Sequence, residues 1–468
     1  MEKVQTTSTA TSSVQWQAAQ EPDTGEEAIE RLDLRPTIPR TLKGAVGLIG
    51  VNSSVVSAWP IFFLTSVISL SFAGAAGLLI GIIVASLGMT PVYISLAEKI
   101  RRYPTAGGQY HWVAALAPQS CQKFLSFVCG VTLAFTWLTF QAANIWLGAE
   151  SFMAIVLVYT GRYDVTWAFC TALGMQLVAL LVNLTWGRHM NAAESLTVIL
   201  HLVAVVLLTA LLIFSRASGT MSSDFSFSGN TGWGLGAGTL LCITFATTTI
   251  SGFDCASHLT EDTVEPSKRV PRSLLWSTTL NETACIICAV LVGLNAGDIG
   301  SLWGGPLGAT GHPFGAVVQL VYNASQERRG LTTAVFGLLA AILLICSINV
   351  TAAASRTVFA VIRDDRNPYV SKWMAADLQK AGVPRITIVL VALAPALLLW
   401  INFVSAVGFQ ALGSQCILSL SSTYMLAISC SFWSRFHQPD LLGRDYGGIF
   451  HLGTFWFVTS ASLPTSPR

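Results

Sequence analysis

The sequence predicts an all-α integral membrane protein, a bundle of about ten transmembrane helices arranged as two inverted repeats of five, with helices one and six broken. Three observations predict it. Hydrophobic residues make up 53% of the 468 residues and charged ones 11%, where a soluble domain carries about 25% charge. About ten apolar runs are long enough to cross a hydrocarbon layer of about 30 Å. Lys and Arg collect in alternate connections between those runs.

Along the chain the runs fall near 44–70, 74–97, 124–148, 165–184, 194–215, 235–257, 273–297, 331–355, 386–404 and 406–431. They define a transmembrane core over 41–433. Residues 1–40 are rich in Ser, Thr, Gln and Glu and lack the apolar stretch of a signal peptide, so a disordered cytoplasmic tail is expected there. Residues 434–468 are expected to be irregular, since "GTFWFVTSA" is too short to span.

Orientation follows from the basic residues. With the tail inside, the inner side receives Arg31, Arg35, Arg40 and Lys43, then Lys99, Arg101, Arg102 and Lys123. It also receives Arg188, then Lys268, Arg269 and Arg272, then the Arg- and Lys-bearing connection near 356–385, and Arg435 and Arg444. The outer side receives only Arg162, Arg216, Arg328 and Arg329. This asymmetry puts the N-terminus in the cytoplasm. The stretch 297–325 then lies outside; its second half reads as a short amphipathic helix lying on the surface, ending in the glycosylation sequon Asn323-Ala324-Ser325.

Several classes are excluded. A net charge of +2 gives no reason to expect nucleic acid. Most of the ten cysteines lie in apolar runs, and Cys285 and Cys288 share one helix face, which suits packing more than redox chemistry. No metal-ligand set or nucleophile–base constellation is visible, so no enzyme, metal or cofactor is expected. The lipid bilayer is the one certain partner of such a composition.

The candidate site comes from two interruptions. Glycine weakens a helix, and a carboxylate in lipid costs about 2.5–3.5 kcal/mol. Yet span six carries "SGFD", residues Ser251, Gly252, Phe253 and Asp254. Span one carries Gly47 and then Gly50, Val51, Asn52, Ser53 and Ser54. Matching breaks in the first and sixth spans are the pattern of inverted repeats around a midplane site. The freed N–H groups at a half-helix start suit a carboxylate, and the freed carbonyls suit an ammonium group or cation. Packing through small residues is the competing reading of the glycines. For Asp254 the readings are substrate contact, a cap on the inner half-helix, or proton carriage.

Other buried polar groups belong with these. Gln141 and Asn144 share one face of span three, for substrate or for an interhelical bond. On span eight, Ser347, Asn349, Thr351 and Ser355 offer hydroxyl and amide groups. Ser347 and Thr351 would complete a cation or proton site, or bond back to their own helix. His201 and Glu282 are ionisable and deep; Glu282 reads as structural. Phe253, Trp59 and Trp137 offer faces for a quaternary ammonium or serve packing.

Three stretches carry a family resemblance: "SLGMTPVYISLAEKIRRYPTAGGQYHWVAALAP" (86–118), "SGFDCASHLTEDTVEPSKRVPRSLLWS" (251–277) and "SRTVFAVIRDDRNPYVSKW" (355–373). They resemble a fungal permease of the amino acid–polyamine–organocation superfamily, in the amino acid/choline and GABA permease branch. The resemblance spans roughly 40 to 450. It implies a five-plus-five inverted-repeat fold, usually of twelve spans, and proton-coupled uptake of an amino acid, GABA, choline or a related amine. It implies binding backbone at Gly50 to Ser54 and Ser251 to Asp254, and a cytoplasmic gate at Glu98 and Arg101. Two departures stand out. The family's usual ending has two more spans after "GRDYGGIFHLG", which this sequence is expected to lack, and "GVNSSVV" is less glycine-rich than the usual break. The expected function is a secondary active transporter of the plasma membrane, or of the vacuolar membrane, working by alternating access. The rivals are a nutrient sensor that binds without transporting and an inactive truncated isoform.

Overall fold

The computed structural model describes residues 49, 53, 55–186, 190–217, 225–229, 231–260, 263–364 and 384–437. The expected 1–40 tail and the chain beyond His437 lie outside the described residues, as do Gly50, Val51, Asn52 and Ser54.

Among the described residues, nine helices are long and apolar enough to cross a membrane. The first, α1 (Ala58–Arg102), holds two crossings. Its 45 residues would extend about 68 Å as one rod, twice the thickness of the hydrocarbon. The helical backbone is interrupted at Ala73 and at Gly74, whose φ is 69°. An added β-carbon at Gly74 would sit 2.6 Å from the Ser226 carbonyl oxygen, so the corner accepts only glycine. Beyond it the chain doubles back: Cys242 Sγ donates to the Ser69 carbonyl at 3.3 Å, and Gly81 packs against the backbone of the same Cys242. Spans one and two therefore meet at this corner.

The remaining elements follow in order. The short α2 (Gln109–Leu116) sits at the end of the bundle that holds Lys99, Arg101 and Arg102, called here the basic end. Span three is α3 (Gln122–Thr160), span four α4 (Val165–Trp186) and span five α5 (Met190–Ala217). Span six is α6 (Leu235–Thr249) followed by a 3-10 helix, Phe253–Leu259. Span seven is α7 (Pro266–Asn295). The short α8 (Ile299–Gly304) and α9 (Gly315–Ala324) come next. Span eight is α10 (Arg329–Arg363), span nine α11 (Arg385–Leu399) with the short α12 (Ile401–Val404), and span ten α13 (Ala406–His437). The ten expected crossings are thus all accounted for.

The bundle is held in two groups. One has α1 packed on α6 and α7; the other has α3 packed on α10 and α13. Their facing sides form a continuous apolar core that includes Trp137, Phe63, Phe253 and Phe336.

One expectation is overturned. The helix over 315–324 does not lie on the surface. Eight of its residues, from Gly315 to Val321 and Ala324, are buried, and it packs against α1, α3, α5 and α10. An apolar run of Ala316, Val317, Val318, Leu320 and Val321 has too little polar face to rest in water. The sequon is closed with it. Asn323 Oδ1 accepts from Gln319 Nε2 at 2.7 Å, and the buried Ser325 hydroxyl is bonded to the Tyr322 carbonyl and to Thr332.

Candidate functional site

Both helix breaks are present and they face each other. In span one the described break is at Ser57, where φ and ψ are both 43°. This left-handed residue is buried and lies just past the Gly50–Ser54 stretch. Of that stretch only Ser53 is described; it is buried, and its carbonyl accepts the Ser57 N–H at 2.9 Å. In span six the α-helix ends at Thr249 and the chain restarts as a 3-10 helix at Phe253. Gly252 stands at the break with φ 108°, a conformation that L side chains rarely adopt. A β-carbon built on it would lie 3.7 Å from Val56 and 3.9 Å from Phe140. The missing side chain of Gly252 therefore points at span one and span three together.

Each break is supported on its flank. The Tyr93 hydroxyl donates to the Ile250 carbonyl at 2.6 Å, and its ring packs edge-on against Phe253 with centroids 5.5 Å apart. At the other break, Cys346 Sγ is 3.1 Å from the Val55 carbonyl and 2.9 Å from Asn144 Oδ1. These bonds satisfy carbonyls that an interrupted helix leaves open.

Asp254 is fully buried. It does not cap the inner half-helix; Gly252 holds that position, and no side chain caps it. Its carboxylate instead accepts from Gln109 Nε2 and from the Tyr424 hydroxyl, and His258 Nε2 is 3.4 Å away, one turn on. His258 Nδ1 is 2.9 Å from the Ala106 carbonyl, so an Nδ1–H donates there and Nε2 is free to face Asp254. Trp137 stands edge-on to His258 at 5.4 Å. Asp254 thereby joins the broken span six to α2 and to span ten.

Gln141, Asn144, Ser347 and Thr351 come together as one interhelical network. Gln141 Nε2 donates to Thr351 Oγ1 at 2.8 Å, to the Ser347 carbonyl at 3.0 Å and to Gln176 Oε1 at 3.1 Å. Asn144 Nδ2 donates to Ser347 Oγ at 2.9 Å. Both hydroxyls also bond back to carbonyls one turn earlier, at Leu343 and Ser347. Every one of these groups is buried; the network ties span three to span eight through Cys346 to the span-one break. Trp59, an aromatic candidate, has its indole N–H on His201 Nδ1 at 2.9 Å. Glu282 accepts from Thr90 at 3.2 Å.

Glu98 and Arg101, expected from the resemblance to form a gate, lie at the basic end. Arg435 Nη2 is 2.8 Å from both carboxylate oxygens of Glu98, which links span two to span ten. Arg101, on the same end of α1, is half-buried. A second link was not foreseen: Asp364 accepts from the Tyr110 hydroxyl at 2.7 Å and lies 2.6 Å from His111 Nε2. Burial raises the Asp364 carboxyl, yet hydrogen bonding and charge from His111, with Arg363 and Tyr110, outweigh it and hold the group well below the usual carboxylate range.

Some of these residues carried a readable signal. Gln109 sits in the quoted "GGQY" loop, and His258 lies one helical turn from Asp254. Tyr93, Tyr424 and Cys346 sit in ordinary apolar runs, where nothing local sets them apart. Among the described residues no group of three or more His, Cys, Asp or Glu could hold a metal ion.

The fold agrees with comparisons to known proteins. The family model described as amino acid permease matches residues 44–466. That match extends beyond the roughly 40–450 over which the sequence motifs carry the resemblance. An uncharacterized amino-acid permease of Schizosaccharomyces pombe is 26% identical over 82% of this chain and 68% of its own length. A choline transporter of Saccharomyces cerevisiae is 21% identical over 90% of this chain and 75% of its own. The crystal structure of the Eremococcus coleocola manganese transporter superposes with a TM-score of 0.53 at 14% identity, covering 90% of this chain and 87% of that one; the likeness is one of fold alone. The protein is an integral, multi-pass membrane transporter and not an enzyme, and the chain belongs to the amino acid permease family.

Proposed function

We propose that the protein carries a small amino acid or a related amine, with GABA and choline in range, across its membrane by alternating access, coupled to protons. The observation that carries this reading is the apposition of the two breaks, with the bare Gly252 backbone turned toward Val56 and Phe140. Tyr93 and Cys346 hold the breaks from their flanks. The face between Val56, Phe140 and Gly252 is left for a ligand. Half-helix ends there supply partial charges of both signs, and Phe140 and Trp137 supply rings for an ammonium head.

In this reading the basic end faces the cytoplasm, in keeping with the distribution of Lys and Arg, and the plasma membrane is the favoured location. The Glu98–Arg435 and His111–Asp364 links are then the inner gate, and both must part for release. Asp254, held by Gln109 and Tyr424 beside His258, is the acid best placed to couple site and gate. Spans one and six rock against the spans three and eight network.

The test is uptake of labelled GABA, choline and a neutral and a basic amino acid into vesicles holding the full chain, at two pH values and with an imposed proton gradient. Gradient-driven accumulation of one class supports the reading. Saturable binding without accumulation would instead make the protein a sensor.

A further inference from the structure

A second buried acid stands at the opposite end of the bundle, where neither the substrate face nor the inner gate uses it. Glu150 on span three is fully buried. Its Oε1 accepts from the Tyr163 hydroxyl at 2.7 Å. Among the described residues its Oε2 has no hydrogen-bond partner, although His312 Nε2 lies 3.3 Å away. His312 belongs to the segment before α9, the one buried on the end of the bundle.

The histidine's protonation state is fixed by its neighbours. Its Nδ1 accepts the Phe314 N–H at 3.0 Å, so that nitrogen carries no proton. Its Nε2 then carries the hydrogen, which goes to the backbone carbonyl of Glu150 at 3.0 Å. A second proton on the ring would break the bond to Phe314. Burial also keeps His312 neutral, lowering its pKa to about 4 despite the Glu150 carbonyl, which acts the other way. The pair is therefore not an ion pair. Around the acid stand Tyr163 from the connection after span three and His312 from the docked segment; Asp164 adds a negative charge beside Tyr163. Arg162, Arg328 and Arg329 at this end are exposed. Among the described residues, a charged Glu150 would thus be buried with one full hydrogen bond and no cation. An acid in that position takes up a proton instead of staying charged.

We propose that Glu150 is a proton-binding site of the outer end, occupied when the segment carrying His312 and α9 is docked and emptied when that segment lifts and admits water. Closing the outer end then takes up one proton. Low outer pH therefore favours the closed outer end; because the site fills and empties toward the outside, it sets the pH dependence of closure and does not itself deliver the proton inward. The inference rests on the transporter reading and adds to it a residue and a step.

The experiment uses the full chain in lipid nanodiscs and needs no substrate. Infrared difference spectra between about pH 5 and about pH 8 should show a protonated-carboxyl band that is lost in Glu150→Gln. Hydrogen exchange of the segment over 305–320 should speed up with rising pH beyond the intrinsic rate in the wild type, and be pH-independent and slow in Glu150→Gln. Tyr163→Phe removes the donor to the charged form and should move the transition up by roughly one pH unit. A wild-type carboxyl band and exchange profile that persist in Glu150→Gln overturn the proposal, as does a Tyr163→Phe transition that stays in place. Proton flux driven by labelled GABA or choline separates the two readings. If the wild type shows none, proton coupling fails, whatever Glu150 does; if Glu150→Gln keeps the wild-type pH dependence of transport, the transporter reading stands and the proposal for Glu150 falls.

Discussion

The Tyr93 hydroxyl donates a 2.6 Å hydrogen bond to the Ile250 carbonyl, at the point where span six stops being an α-helix. Span two thus supplies the partner that span six loses by breaking. An unmade bond to a buried carbonyl costs about 1–3 kcal/mol. Tyr93→Phe should lower the thermal midpoint of the purified protein accordingly. An unchanged midpoint would mean that the carbonyl has another partner.

Gly252→Ala tests the second break. Space is available, since the added carbon would be in ordinary contact with Val56 and Phe140. The obstacle is the backbone: φ 108° costs an L side chain about 1–3 kcal/mol. The variant should reach the membrane yet lose most uptake, measured with the labelled substrate that the wild type accumulates. Full uptake by the alanine variant would show that the break tolerates a β-carbon and that its geometry is not what binds.

Asp254→Asn keeps the shape of the acid and removes its charge. Hydrogen bonds to a charged group are worth about 1.5–3 kcal/mol, and Asp254 accepts two from side chains. Uptake should fall by about tenfold or more while expression persists. Normal kinetics would reduce Asp254 to a packing role.

The Asp364 link has a pH signature. Its carboxyl is held below its unfolded value, which is about 3.9. A depressed acid contributes stability that is complete above the unfolded pKa and is lost as pH falls toward the folded one. The difference in melting midpoint between wild type and Asp364→Asn should therefore be level down to about pH 5 and shrink below about pH 4. Loss of the difference at higher pH would assign the link to another group.

The Asn323 sequon should stay unmodified in the folded protein, because Asn323 is engaged by Gln319 and Ser325 is buried. Glycosidase treatment, and the Asn323→Gln variant, should leave the mobility of the expressed protein unchanged. A shift on either would show that the carbohydrate is added before α9 docks.

What could be read in advance followed from chemistry that stands out against lipid. Ten crossings, the two breaks and the polar set Gln141, Asn144, Ser347 and Thr351 were legible because glycine, amides and hydroxyls are conspicuous in apolar runs. Tyr424, a partner of Asp254, and Tyr93, which holds the Ile250 carbonyl, were not, since both pass as ordinary aromatic residues of a span and reach the site only through tertiary packing. The burial of α9 was missed for a similar reason. Its ten residues are too few to read as a span, and a short apolar helix reads alike whether it lies on an interface or plugs a bundle.

The corner at Ala73 and Gly74 leaves no slack between spans one and two. With the Gly74 backbone wedged against Ser226 and no loop to stretch, a tilt of the first span drags the second with it. Tyr93 and Glu98 ride on that second arm, one touching the sixth span's break and the other clasping Arg435. In the proposed transport cycle the hairpin is a bent lever, so that a rotation begun at the ligand face arrives at the far clasp as displacement.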